Sequence, residues 1–190
     1  GDLLLSCGTS WVGFLPIQER NDSIRLGLLT DPYLSGTDQS ESTAIYQSSS
    51  DSGPWAGMTS LSRIGKAIDF LVDQVVAADS SAGKERYIEF DRCAMRSEPG
   101  AGGVLIDPIS CLTAIDDPED PERKKRIIDH LGREPVEAVA RAVMEGAVFA
   151  LRQRLDRLKT RGVTIDRAVI VGGPTESPVW PQITADILGI

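Results

Sequence analysis

A single histidine, His130, is all the imidazole this chain offers. Any Ser-His-Asp or Cys-His triad would have to use it, and a His-rich metal site cannot form. It stands just ahead of Leu131-Gly132, a helix stop, where an imidazole suits the negative end of the helix dipole and reads as structural. Cys7, Cys93 and Cys111 are odd in number and no two stand as Cys-x-x-Cys. That spacing argues against a disulfide frame or zinc site and predicts reduced thiols in a cytoplasmic protein. Basic residues are in the minority, 20 Lys and Arg against 28 Asp and Glu, for a net charge of −8. The main basic run, Arg123-Lys-Lys-Arg126, follows the acidic Asp116-Asp-Pro-Glu-Asp120 and reads as the solvated start of a helix. No nucleic-acid or anionic-membrane partner is expected, because both need clustered positive charge. No apolar stretch reaches the roughly 20 residues that span a bilayer, and the N-terminus lacks the charged-then-apolar pattern of a signal peptide.

What is present is enough for a core: 41% of the residues are hydrophobic over a length of 190. Neither a repeat nor a domain-splitting linker interrupts the chain. Leu3-Leu-Leu5 and Trp11-Val-Gly-Phe-Leu15 flank Gly8-Thr9-Ser10 and predict a hairpin, with a third strand over Ile24 to Leu29 completing an antiparallel meander. Ser35 to Ser62 is dominated by Ser, Thr, Asp and Gly and reads as loop, with a short strand near Ala44 to Tyr46. Leu61, Ile64, Ile68, Leu71, Val72 and Val75 recur at spacings of three and four, predicting a helix over Thr59 to Ala78. A buried strand is expected at Val104-Leu-Ile106, then a short charged helix from Pro121 to Leu131. The longest helix starts at Pro135 and runs to about Arg161, burying Val136, Val139, Val143, Ala147, Leu151, Leu155 and Leu158. Gly162 closes it.

The last stretch carries the most information. Val169-Ile-Val171 suits a strand covered on both faces. Gly172 and Gly173 permit a tight turn, and Ser177 and Pro178 stand as N-cap and first residue of a helix that buries Val179, Ile183, Ile187 and Leu188. A strand that runs through glycines into a helix N-terminus favours a nucleotide or another anion. The coarse order, a meander followed by alternating strands and helices, predicts a three-layer α/β domain with a mixed central sheet.

Three segments resemble the C-terminal domain of the FGGY carbohydrate kinases, of the actin-like ATPase (ribonuclease H-like) fold. Gly1 to Ser10, an apolar strand ending in Cys-Gly-Thr-Ser, is similar to the family's second phosphate loop. Arg141-Ala-Val-Met-Glu-Gly146 is similar to its Arg-Ala-x-x-Glu-Gly helix, and Gly172 to Gly189 to its adenosine motif. Gly65-Lys-Ala-Ile-Asp-Phe-Leu71 is a weaker fourth match, to the helix beside the nucleotide in glycerol and pentulose kinases. The resemblance implies ATP and Mg²⁺ as cofactors and a sugar or polyol as substrate, and it is compatible with a homodimer. It implies that Gly8, Thr9 and Ser10 hold the β- and γ-phosphates, that Gly172 and Gly173 lie against adenine and ribose, and that Ser177 reaches the base edge. Gly65 and Asp69, one helical turn apart, would stand near ribose and phosphates.

The chain also departs from the family. The aspartate that activates the sugar hydroxyl and the sugar-binding N-terminal domain would precede Gly1, and family members usually continue beyond Ile190. Residues 1–190 are therefore expected to be the nucleotide-binding half of a longer kinase, inactive alone and with no catalytic residue of its own. The family's Gly-Glu-Arg element is replaced by Ile109-Ser-Cys-Leu-Thr-Ala-Ile115, which motivates an alternative: a non-catalytic actin-like module for assembly or regulation. A non-sugar ATPase of the same superfamily is a further alternative. Glu145 and Gly146 read as a packing device, and Trp55 and Trp180 as packing anchors.

Overall fold

The computed structural model describes residues 1–31, 52–76, 83–115, 117 and 119–190. Five strands, β1 (Asp2–Cys7), β2 (Trp11–Glu19), β3 (Leu29–Asp31), β4 (Ser52–Leu61) and β5 (Arg167–Gly172), form one sheet in the order β3-β4-β2-β1-β5. The β1–β2, β2–β4 and β3–β4 pairs are antiparallel and β1–β5 is parallel, so the sheet is mixed and opens on a hairpin, as expected. The helices are α1 (Arg20–Leu26), α2 (Ile64–Val75), α3 (Glu85–Met95), α4 (Pro108–Ile115), α5 (Pro121–Leu131), α6 (Val136–Lys159) and α7 (Trp180–Leu188).

Alternation along β1 and β2 sets the core. Leu3, Leu5, Cys7, Trp11 and Leu15 point to one face and are buried there with Leu71, Val143, Leu151, Leu155 and Ile183 from α2, α6 and α7. The opposite face is open among the described residues: Leu4, Val169 and Val171 are 42%, 49% and 42% exposed. The expected strand covered on both faces is thus an edge strand with one packed face, and the expected third layer is not seen among these residues.

Some local readings hold closely. α5 occupies Pro121–Leu131, with Asp120 as its N-cap accepting the Arg123 N–H at 3.0 Å. α6 follows Pro135 and buries the predicted stripe from Val139 to Leu158, while Val136 stays 39% exposed. Other readings need correction. Ile24 to Leu29 is not one strand: residues 20–26 are α1, closed by Gly27 in a left-handed C-cap with its N–H on the Ile24 carbonyl, and only Leu29 at its far end belongs to a strand, β3. Leu26 and Leu28 are buried while Ile24 is exposed, a helical rather than alternating pattern. The loop expected over Ser35 to Ser62 ends in β4, whose pairing with both β2 and β3 overrides its glycine, serine and proline content. The strand expected near residues 44–46 lies outside the described residues. The helix expected from Thr59 begins at Ile64, because Thr59 to Leu61 belong to β4. Val104 to Ile106 joins no sheet; it crosses α6 as extended chain, leaving Leu105 exposed. α3, which the composition did not announce, packs on α6 through buried Phe90, Cys93 and Ala94.

Candidate functional site

Because β1 and β5 are parallel neighbours, Cys7 pairs with Gly172, and the turns that follow the two strands emerge side by side. Crevices beyond the carboxyl ends of parallel strands are where α/β sheets bind ligands. The turn after β1, Gly8-Thr9-Ser10, is held from two directions. The Gly8 N–H donates to the Ser10 carbonyl at 3.2 Å; the Thr9 carbonyl accepts the Gly65 N–H at 2.9 Å, and Ser10 Oγ accepts the Arg63 N–H at 2.9 Å. The turn therefore caps the start of α2 with its own oxygens. Gly65 is required at that contact, since a Cβ there would stand 2.6 Å from the Gly8 carbonyl oxygen.

The two glycines after β5 play different parts. Gly172 has φ of 104°, and a Cβ on it would approach the Cys7 carbonyl oxygen to 2.3 Å, so it lets β5 end against β1. Gly173 has nothing within 4 Å of its Cβ position and faces open space. A 3₁₀ turn over Gly173–Glu176 then leads to Ser177, whose Oγ accepts the N–H groups of Val179 and Trp180, each at 3.2 Å. Ser177 thus holds the start of α7 by its Oγ, but the helix begins at Trp180 with Pro181 in its first turn, so Pro178 precedes it rather than opening it as expected.

These turns border a cleft of about 480 Å³, a size that suits a small ligand. Gly8, Thr9, Gly65 and Asp69 line one side and Gly173, Pro174 and Ser177 another. Ser10 and Gly172 lie behind this lining as supports. Trp180 meets Trp11 edge to face, with centroids 5.4 Å apart and planes at 71°, and both border the cleft as packing anchors.

The third wall is α3, which sequence reasoning missed. Tyr87 Oη donates to the Asp69 carboxylate. Arg86 stacks 4.7 Å over the Tyr87 ring, donates to its oxygen at 2.8 Å and reaches Asp73 at 2.6 Å. Asp69 is therefore a pinned wall residue, and burial raises the pKa of the Tyr87 phenol. Lys84 and Glu176 form an ion pair between the start of α3 and the 3₁₀ turn, and both side chains are largely exposed. Asp91 is buried, and burial pushes its carboxyl up from the ordinary range while the Ser177 hydroxyl pulls the other way. The signal for α3 was Phe90, Cys93 and Ala94 at helical spacing after acidic Glu85.

Burial raises the Cys7 thiol to about 12, so it stays neutral beside the cleft and is no nucleophile. Among the described residues no three His, Cys, Asp or Glu side chains gather as a metal cage, and no helix is long and apolar enough to cross a membrane.

A second cleft, of about 560 Å³, lies between α6 and the segment 104–109. Here the Ile106 carbonyl presses onto Gly146, where a Cβ would come within 1.9 Å of the oxygen. Arg141 Nε donates to Glu145 at 2.7 Å; Glu145 also takes the Gly100 N–H at 3.0 Å, and Arg141 reaches the Ser97 carbonyl at 3.4 Å. The Arg-Ala-x-x-Glu-Gly run is thus a lock that fastens the loop after α3 onto α6.

Residues 3–190 match the FGGY family of carbohydrate kinases, C-terminal domain. The xylulose kinase of Haemophilus influenzae is 30% identical over 101 residues, 53% of this chain and 20% of that protein. The L-xylulose/3-keto-L-gulonate kinase of Escherichia coli is 37% identical over 49 residues, 26% of this chain and 10% of that protein. Among solved structures, the xylulose kinase of Rhodospirillum rubrum superposes with a TM-score of 0.65 at 19% identity, covering all of this chain and 33% of that one. The Plasmodium falciparum glycerol kinase solved with ADP gives 0.60 at 15% identity, covering 98% of this chain and 33% of that one. The chain spans about a third of these solved structures, and its matches cover no more than a quarter of the curated relatives.

Proposed function

The chain belongs to the FGGY family of carbohydrate kinases as its C-terminal domain, and from that premise we propose that the cleft between the β1–β2 turn and the β5–α7 turn binds ATP. The protein that carries it would transfer the γ-phosphate to a hydroxyl of a sugar or polyol. The observation that carries this reading is the pairing of two glycine turns at the carboxyl ends of adjacent parallel strands, over one cleft lined by Gly8, Thr9, Gly65, Asp69, Gly173 and Ser177. The relatives named as xylulose kinases favour a pentulose among the substrates.

In this reading the Thr9 turn receives the phosphates, because the Thr9 carbonyl and Ser10 Oγ are turned inward onto the start of α2 and the remaining donors of the turn are left for an anion. The dipole at the start of α2 adds favourable potential at the same place. Gly173 offers an open backbone surface to ribose and base. Mg²⁺ neutralises phosphate charge when bound. It takes most of its ligands from phosphates and water rather than a protein cage. Asp69, held by Tyr87 and Arg86, is the carboxylate nearest that role. We assign the base that deprotonates the sugar to a part of the protein outside residues 1–190. A cytoplasmic setting, with neither nucleic acid nor membrane as partner, follows from the same reading.

Calorimetry of ADP binding, with an ATP-coupled screen of pentuloses, polyols and sugar acids, tests the proposal on the whole protein. Thr9→Ala is expected to weaken ADP about tenfold, the loss of a hydrogen bond to a charged group. Unchanged ADP affinity in Thr9→Ala would place the phosphates elsewhere.

A further inference from the structure

Ser177 has less to offer a ligand than its position at the cleft suggests. A serine hydroxyl has one hydrogen to donate and two lone pairs to accept with. Both lone pairs take backbone N–H groups, from Val179 and Trp180, each at 3.2 Å. A base amino group arriving here finds no free acceptor on Ser177. It does find one on Asp91, which also lines the cleft.

Asp91 is 7% exposed. Its two oxygens can take about four hydrogen bonds in all. A buried carboxylate with acceptor capacity unmet costs stability until a donor arrives. Ile68, Ile88 and Pro174 line the same cleft and supply apolar surface for a flat ring. The anionic tail belongs at the Gly8–Thr9 turn, as proposed above, which leaves the Ser177 end, which Asp91 also lines, for the base. The donor that an adenine edge presents is its 6-amino group.

We propose that Asp91 reads the 6-amino group of adenine. This rests on the nucleotide reading of the cleft and makes it more specific: α3, rather than the glycine turn, selects the base.

The test is calorimetry on the whole protein with two ligands, ADP and purine riboside 5′-diphosphate, which differ only by the 6-amino group. Wild type is expected to bind ADP about tenfold or more tightly than the analogue, as for a hydrogen bond to a charged acceptor. Asp91→Leu should bring that ratio close to one by weakening ADP alone. A ratio that survives Asp91→Leu overturns the assignment. Equal binding of the two ligands to wild type overturns it as well, whether or not Asp91→Leu folds. Tighter binding of GDP than ADP also overturns it, because a carboxylate can take both the ring N–H and the 2-amino group of guanine. If ADP and the analogue both fail to bind, the nucleotide reading itself is wrong; if ADP binds and only the ratio fails, Asp91 alone is misassigned.

Discussion

At Gly146 an added Cβ would stand 1.9 Å from the Ile106 carbonyl oxygen, whereas at Gly173 nothing lies within 4 Å of the same position. Both glycines belong to segments that resemble one family, and in the sequence they look alike. The first is a contact between two backbones, a helix and a crossing strand-like segment, and it holds the fold together. The second leaves a surface that nothing in the described chain covers. Gly172 and Gly65 side with Gly146, since each brings one backbone against another. A motif glycine therefore marks a close approach without saying whether protein or ligand makes it.

The largest expected effect breaks the structural side of this contrast. Gly146→Ala has to push α6 away from residues 104–108, because the atom it meets is backbone and cannot rotate aside. Overpacking of this kind costs about 3 kcal/mol or more, read as a fall in the denaturant midpoint at unchanged m-value. A midpoint within error of wild type would show that the crossing segment yields freely. Glu145→Ala should come next, near 2 kcal/mol, because it strips the partner from Arg141 and from the Gly100 N–H at a site about nine-tenths buried. Glu145→Gln, which keeps an acceptor, should recover part of that loss. Gly173→Ala sharpens the other side. Its effect on stability should stay within about 0.5 kcal/mol, as for an exposed site away from special geometry, while ADP affinity falls. Destabilisation without loss of affinity would move Gly173 to the structural group.

What could be read in the sequence follows the range of the forces involved. Helices α5 and α6 were legible because their caps and stripes are local: Asp120 and Pro121 start one, and Pro135 and the Val139-to-Leu158 stripe define the other. The β1–β2 hairpin was legible for the same reason. α1 was not, since Ile24, Leu26 and Leu28 fit an alternating pattern as well as a helical one, and only burial against the sheet separates the two. β4 was hidden by glycine, serine and proline, and it forms because β2 and β3 supply ladder partners on both sides. Val104 to Ile106 has the composition of a strand and lacks an edge to pair with.

The candidate site divides in the same way. Gly8, Thr9, Gly65, Asp69, Gly173 and Ser177 were named through the family resemblance of their motifs, and the structure brings all six to one cleft. Tyr87 and Asp91 were not, because a charged, half-buried helix such as α3 reveals its role only through what it packs on.

The sequence by itself determined which residues could turn, cap and line a helix face, since these depend on backbone sterics and on neighbours within a few positions. Tertiary structure alone decided which glycine meets backbone and which meets open space, and that buried Asp91 comes to the same cleft as Ser177. Both depend on contacts between segments far apart in the chain, where pairing and burial outweigh local preference.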